Sequence, residues 1–394
     1  MPEQSPSQLI NSWRTAAKNK DVKTLSKASI GFTRRLLTTA AAVIGLAPGA
    51  FAQASGAQAG DPQTFFVLNN PTDMMFNQLL GINNGNVIVG YFGDGMGVAN
   101  QGYVLVPANH YSTENFANLP TGGITASQTQ AIGINTATGL AGATPFPDIV
   151  GFYTDAATGL THGFVDSIGV QSTIDDPAGL PPNVAKPLQN LLGVNDALRA
   201  AGFWTDNAGN EHGFVAEINT TTTPVAARYT ELTPAQVNSN LNLSGAAAAV
   251  ATQTSDINNN NLVCGFYTDG AQNNHGFQVT FNTAMHSFNA VLALTPNTNA
   301  PTTPLLSIPT SLSPFGCNDH GAIVGTYTAT NGTVHGFVFD GTDWHNYDAA
   351  GSKQTKAFDV VGTTINGINN AGNVVGFFSD GENVNGFVDF VPVP

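Results

Sequence analysis

One motif recurs six times along this sequence, and it limits what the chain can fold into. Its consensus is G-I-N-x-x-G-x-I-V-G-x-Y-T-D-x-x-G-x-x-H-G-F-V. The interval from the first motif position to a glycine in its middle is nine residues in five repeats and eighteen in the second. These middle glycines are Gly90, Gly151, Gly202, Gly265, Gly325 and Gly376. A period of about 57 residues predicts an architecture of repeated structural units.

Each repeat predicts four short strands, separated by Asn-x-x-Gly and Asp-x-x-Gly turns. Four antiparallel strands per unit are typical of β-propeller blades. We therefore predict an all-β fold, a six-bladed β-propeller over residues 61–394, rather than an open β-solenoid, whose coils are shorter. Only a third strand can follow Gly386, whereas Thr64–Pro71 resembles the fourth-strand segment Val170–Pro177. The N-terminal strand is thus expected to complete the last blade and leave no unpaired edge.

The first 52 residues have the order of a bacterial export signal. Arg34-Arg35 precedes the uncharged run Leu36–Ala47, and an A-x-A cleavage site ends at Ala52. The run is too short and too rich in small residues to span a bilayer. We expect cleavage after Ala52, a linker over residues 53–60, and a periplasmic or extracellular product without a transmembrane segment. The general and the twin-arginine export routes both stay open.

The predicted mature chain is strongly acidic. Only 10% of all residues are charged, and the 5 basic and 24 acidic residues after position 52 give a net charge of −19. Such a surface repels phosphate backbones and anionic lipids, so we expect no nucleic-acid partner and no binding to a membrane surface.

The motifs G-I-N-x-x-G-x-I-V-G-x-Y and H-G-F-V resemble the HAF family of bacterial extracellular repeat proteins, over roughly residues 61–390. The resemblance implies an exported repeat protein and no known reaction. The second repeat departs from the pattern by an insertion around Ala137–Pro147, and the fifth has Ala329 where the others place Asp.

Two motif positions carry polar side chains that could be functional or structural. Four histidines precede the Gly-Phe pair, but Gln101 and Asn385 replace them in the first and last repeats, which favours a structural hydrogen bond to backbone over metal ligation. The histidines are His162, His212, His275 and His335. An asparagine begins the first turn of every repeat, either closing an Asx turn or forming a polar ring at one mouth of a central channel. These residues are Asn83, Asn135, Asn195, Asn258, Asn318 and Asn369.

The sequence predicts no cofactor and no metal site. Calcium at the Asp-containing turns between second and third strands is the alternative, although Asp256–Asn260 lacks the glycine and the terminal glutamate of a calcium loop. Cys264 and Cys317 replace core aliphatic residues in neighbouring repeats. A disulfide and two separately buried thiols remain equal alternatives for this pair.

We predict a non-catalytic binding or scaffold protein that acts as a monomer and recognises an extracellular glycan or protein. The alternatives are a secreted enzyme acting on polysaccharide or another extracellular polymer, and a purely structural surface protein. The connections after repeats three and four are the longest and should lie on the same face as the second-to-third-strand turns. Arg228, Tyr229 and Asp269 are the predicted ligand-binding residues there, with Glu231 and His286 as further candidates for an enzyme.

Overall fold

The computed structural model describes residues 65–106, 110–113, 125–136, 147–179, 188–222 and 225–390. The predicted export signal, the linker and residues 137–146 of the second-repeat insertion lie outside these ranges. The fold is all-β and propeller-like.

The strands of the first three repeats follow the predicted order. A short strand, β1 (Phe65–Val67), precedes the first repeat. The first repeat contains β2 (Asn77–Ile82), β3 (Ile88–Phe92), β4 (Gln101–Val106) and β5 (His110–Thr113). The second contains β6 (Ala126–Ile134), β7 (Ile149–Asp155), β8 (Thr161–Ser167) and β9 (Val170–Thr173). The third contains β10 (Leu188–Val194), β11 (Arg199–Thr205), β12 (Glu211–Asn219) and β13 (Ala226–Leu232).

The later repeats keep this order with small departures. The fourth repeat contains β14 (Ala249–Ile257), β15 (Leu262–Asp269), β16 (Asn274–Asn282) and two short strands, β17 (Ser287–Phe288) and β18 (Leu292–Ala293). The fifth contains β19 (Ser311–Cys317), β20 (Ile323–Thr328), β21 (Val334–Phe339) and β22 (Trp344–Tyr347). The sixth contains β23 (Thr363–Ile368), β24 (Val374–Ser379) and β25 (Val384–Asp389).

Successive strands within each repeat pair antiparallel, and the N-terminal strand pairs with the last one. Phe65 lies opposite Asp389 and Val67 opposite Phe387, so the sheet order of the sixth repeat is β1-β25-β24-β23. The predicted pairing of the N-terminal segment with the strand after Gly386 is confirmed.

Two features of the fold were not predicted, one in a sheet and one in a connection. The second and third repeats share one eight-stranded sheet, because Leu188 at the start of β10 bridges Thr161 of β8 in parallel. The connection after the third repeat forms the only α-helix in the described residues, α1 (Pro234–Leu241). Thr233 and Gln236 form a capping box at its N-terminus, and a proline occupies its first turn. No helix in the described parts of the chain has the length and apolar character needed to cross a membrane.

Apolar side chains are buried between the sheets of neighbouring repeats. Val89 and Val104 of the first repeat, for example, pack with Ala131, Ile134 and Phe164 of the second. Strands between two neighbours in a sheet can therefore be buried on both faces, as β3 and β25 are along their whole length.

The middle glycine of each repeat is needed for close contact between the first and second strands. A Cβ atom on Gly202 would lie 2.1 Å from the carbonyl oxygen of Asn190, and one on Gly90 would lie 2.1 Å from that of Gln78. Any other residue would push the two strands apart. The glycine that marks the repeat in the sequence therefore fixes the position of the first strand.

Candidate functional site

The first strands of the repeats surround a central cavity of about 1150 Å³. We call β2, β6, β10, β14, β19 and β23 the inner strands. Alternate side chains of an inner strand face the cavity, as the period of a strand requires. In β10, Asn190 and Leu192 line the cavity, whereas Gln189 and Leu191 are buried away from it. Residues of the second-to-third-strand turns, such as Gly95 and Asn331, line its mouth, so the cavity opens on this face, the turn face.

Four amide side chains occupy the same position in the first four inner strands. We call Gln78, Gln130, Asn190 and Gln253 the amide layer. The Tyr91 hydroxyl donates to Gln78 Oε1 at 2.9 Å. In contrast, both polar atoms of Asn190 and the Oε1 atom of Gln253 have no hydrogen-bond partner in the structure, although both side chains are 1% exposed. Buried polar groups without partners are rare in folded proteins, and they suit a ligand that supplies the missing bonds.

Aromatic side chains form the second component of the cavity wall. The residue after the middle glycine lines the cavity as Tyr91, Phe152, Phe203 and Phe377. In the fourth repeat the equivalent Phe266 packs edge-to-face on Phe315, which lines the cavity instead. The fifth repeat has Thr326 at this position. The wall thus combines flat apolar surfaces with amides that both donate and accept hydrogen bonds.

The inner strands come into contact at the first glycine of the motif. A Cβ atom on Gly81 would lie 2.5 Å from the carbonyl oxygen of Ile132, and one on Gly133 would lie 2.6 Å from that of Leu192. We call this level the glycine layer. Its members are Gly81, Gly133, Gly193, Asp256, Gly316 and Gly367. Side chains at this level would collide with the next repeat, so the layer narrows the cavity at the end away from the turn face.

Asp256 is the one member of the glycine layer that has a side chain. Its Oδ2 atom accepts the backbone N–H of Cys317 at 2.9 Å, and its Oδ1 atom accepts that of Ile257 at 2.8 Å. The carboxylate also lies against Gly193, where a Cβ atom would be 2.0 Å from Oδ1. Desolvation, reinforced by the charge of Asp319 and partly opposed by the two backbone bonds, raises the pKa of Asp256 to about 6.

The predicted asparagines combine the two alternatives that the sequence left open. Each side-chain oxygen accepts backbone N–H groups of its own turn, as Asn83 Oδ1 does from Gly85 and Val87. Each Nδ2 atom donates to the backbone carbonyl of the equivalent asparagine in the next repeat, and Asn369 donates to Asn83. The six bonds of this asparagine ring are 2.7–3.4 Å long. Its polar groups are therefore used within the protein.

A second ring of hydrogen bonds, which the sequence did not reveal, lies beside the first. The residue after each motif asparagine accepts the backbone N–H of its counterpart in the preceding repeat, at 2.8–3.3 Å. The acceptors are Asn84, Thr136, Asp196, Asn259, Asp319 and Asn370. All six are short polar residues, and this shared property was the feature of the sequence that could have indicated the second ring.

The motif histidines bond to carboxylates, so the expected backbone partner is wrong. His212 stacks on Trp204 with ring centroids 4.0 Å apart, and its nitrogens lie 3.0 Å from Glu231 and 3.3 Å from Asp206. His162 lies 2.6 Å from Asp175. His275 and His335 likewise pair with Asp269 and Asp348. Two sequence spacings mark these partners: a carboxylate lies 13 residues after His162 and His335, and one lies six residues before His212 and His275.

The structure does not bring the predicted ligand residues together. Arg228 is exposed on the outer strand β13, opposite Glu217, while the neighbouring Tyr229 packs edge-to-face on Phe214. Asp269 is buried at the end of β15, where it accepts two backbone N–H groups of the following turn and pairs with His275. None of these three residues lines the cavity. Their predicted contact with a ligand stays a prediction.

The remaining candidate residues are placed as follows. Cys264 and Cys317 are buried free thiols, and their mutual hydrogen bond, together with burial, raises the pKa of Cys317 well above its usual range. The disulfide alternative is not formed in this structure. His286 pairs with Glu217 rather than with Glu231. Within the described ranges, no group of three or more His, Cys, Asp or Glu is placed to hold a metal ion. Calcium at the Asp turns stays a prediction.

No protein-family model matches the chain, and no curated protein sequence matches it. Among solved structures, a six-bladed fungal lectin of Aleuria aurantia is similar at a TM-score of 0.44 and 10% identity, over 82% of this chain and 93% of the lectin. TolB from Acinetobacter baumannii gives 0.39 and 10%, over 78% and 64%. A Trypanosoma rangeli sialidase gives 0.39 and 10% over 80% of this chain, which spans about half of the sialidase's length (54%). Similarity at this level does not extend to ligand or activity.

Proposed function

We propose that the protein is an exported, non-catalytic binding protein whose central cavity takes a glycan without acidic groups through the turn face. One observation carries the proposal: both polar atoms of Asn190 and the Oε1 atom of Gln253 are buried in the cavity wall without partners. Leaving a buried polar group unpaired costs about 1–3 kcal/mol. A ligand that pairs these groups would recover that free energy.

Glycan chemistry suits both components of the wall. Sugar hydroxyls donate and accept hydrogen bonds, and the amide layer offers both functions at one level. The apolar C–H faces of a sugar ring can pack on aromatic rings such as Phe152, Phe203 and Phe377, which line the same cavity. A cavity of about 1150 Å³ exceeds the usual range for small-molecule sites, so it has room for more than one sugar unit.

We further propose that the six repeats are the blades of one closed six-bladed propeller of the HAF type. The two hydrogen-bond rings and the pairing of β1 with β25 support this closure. We place the protein in the periplasm or outside the cell because of the export signal in the sequence. We propose that it acts there as a monomer.

The test compares two neighbouring amides of β10 that face opposite ways. Asn190→Leu removes an unpaired cavity amide, so we expect an unchanged or higher melting temperature and the loss of glycan binding. Gln189→Leu is the control, because Gln189 is equally buried but makes two hydrogen bonds to Asp176, at 2.5 and 2.9 Å. This variant should melt at a lower temperature and keep its binding while folded.

The measurement is screening of the mature protein on an array of neutral and amino-sugar oligosaccharides, followed by calorimetric titration of any hit. Binding that disappears in the Asn190 variant alone supports the proposal. An array without a hit, or a hit that Asn190→Leu binds as well as the parent protein does, overturns it.

A further inference from the structure

Asp256 breaks the symmetry of the cavity at its narrow end. Five repeats have glycine at this position, where the inner strands are in contact. Asp256 lines the cavity, and so does the preceding Ser255, which replaces an aliphatic residue of the first three repeats. The hydroxyl of Ser255 has no hydrogen-bond partner, although the side chain is 2% exposed. The fourth repeat therefore places a carboxylate and an unpaired hydroxyl side by side in the cavity.

The charge of Asp256 is not balanced by the protein. Among the described residues, no lysine, arginine or histidine forms an ion pair with it. The charge of Asp319 raises the pKa of Asp256, and Asp256 in turn raises the pKa of the Cys317 thiol; neither of these neighbours is a cation. Its two bonds from backbone N–H groups stabilise the carboxylate but bring no positive charge.

The other charged residues of the cavity do not compensate for Asp256. Lys356 and Asp359 line the cavity wall as a pair whose atoms are 3.5 Å apart, and both side chains are mostly exposed. The predicted mature chain has a net charge of −19, so the field of the protein attracts cations and repels anions. A cationic group on a ligand would therefore find its partner at the narrow end.

We propose that the cavity selects glycans that carry a free primary amino group, a 2-amino-2-deoxy sugar, and that Asp256 binds the ammonium group. The hydroxyl of Ser255 forms a hydrogen bond with a hydroxyl group of the same sugar, and the amide layer binds the next sugar unit. The inference rests on the proposed glycan function and adds the ligand class to it. An anionic or fully N-acetylated glycan would leave the Asp256 carboxylate unpaired.

The test is calorimetric titration of the mature protein at pH 7 with two probes. They are the β-1,4-linked hexamer of glucosamine and its fully N-acetylated counterpart. We expect the amine hexamer to bind at least about tenfold more tightly, as a charge-assisted bond in a desolvated site implies. Asp256→Asn should abolish this preference.

Two further variants make the result decisive. Asp319→Asn removes a nearby carboxylate that does not line the cavity, so it should keep the preference. Asp256→Gly inserts the motif residue and replaces Asp256→Asn if that variant does not fold. Equal binding of both hexamers by the parent protein, or a preference that survives loss of the Asp256 carboxylate, overturns this inference alone. If neither hexamer and no array glycan binds, the proposed function falls with it.

Discussion

Removal of one asparagine from the asparagine ring tests how strongly the repeats are held together. Asn318 is 6% exposed and makes three hydrogen bonds through its side chain. Its Nδ2 atom donates to the carbonyl of Asn369 at 3.1 Å. Its Oδ1 atom accepts the backbone N–H groups of His320 and Ala322 at 3.1 and 3.0 Å. Asn318→Ala removes all three bonds.

The expected loss in the free energy of unfolding is about 3 kcal/mol, since each intramolecular hydrogen bond contributes about 1 kcal/mol. Asn331→Ala is the matched control. Asn331 Oδ1 also accepts two hydrogen bonds in a turn, from the backbone N–H and the hydroxyl of Thr333, but this side chain is exposed and bonds to no other repeat. Water can replace its bonds, so we expect a loss below about 1 kcal/mol.

The assay is urea unfolding of the mature protein, followed by tryptophan fluorescence, with the free energies taken by linear extrapolation. Losses that are equal in the Asn318 and Asn331 variants would refute the reasoning, because the bond between repeats would then contribute nothing. An Asn318→Asp variant keeps the acceptor oxygen but places a carboxylate oxygen against the carbonyl of Asn369, so it should lose more stability than Asn318→Ala.

Two more predictions concern the glycine layer and the histidines. Gly133→Ala should destabilise the protein by about 1–3 kcal/mol, because the new Cβ would lie 2.6 Å from a backbone oxygen; Gly97→Ala, with its nearest neighbour at 3.6 Å, should be neutral or slightly stabilising. Equal melting temperatures of the two variants would contradict this. Burial lowers the pKa of His212, but its bonds to Glu231 and Asp206 outweigh burial and hold that pKa above the ordinary 6.5. The stability that the protonated form contributes is thus present at pH 5.5 and lost as the pH rises through the raised pKa. In urea unfolding, the parent protein should therefore be more stable than His212→Gln at pH 5.5, and this difference in free energy should shrink by pH 8.5. A difference that does not change with pH would show that protonation of His212 does not cause it.

The parts of the fold that the sequence predicted are those fixed by steric rules that recur in every repeat. The middle glycines mark places where two strands touch, and the turn asparagines mark Asx turns. Both effects act over a few residues and repeat six times, so the pattern is visible without a structure. The pairing of Phe65–Val67 with β25 was also predictable, because one repeat lacked a fourth strand and a matching segment lay at the other end of the chain.

The side-chain contacts were harder to predict. The carboxylate partners of the motif histidines lie within the same repeat but at two different spacings: Asp175 lies 13 residues after His162, whereas Asp269 lies six residues before His275. The amide layer could not be predicted, since Gln78, Gln130 and Asn190 are ordinary polar residues in the sequence and only the packing of the sheets directs them to one cavity. Asp256 was visible only as a missing motif glycine, and its significance depends on desolvation, which needs the structure.

The asparagine ring also has a consequence for how the protein comes apart. An open array of repeats has two terminal units, each with a single neighbour, and such arrays fray from their ends. Here every repeat donates to one neighbour and accepts from another, and Asn369 returns the bond to Asn83. No unit can leave without breaking two junctions, so there is no weak end from which unfolding can start. We therefore expect the protein to unfold as a single cooperative unit rather than stepwise from its ends.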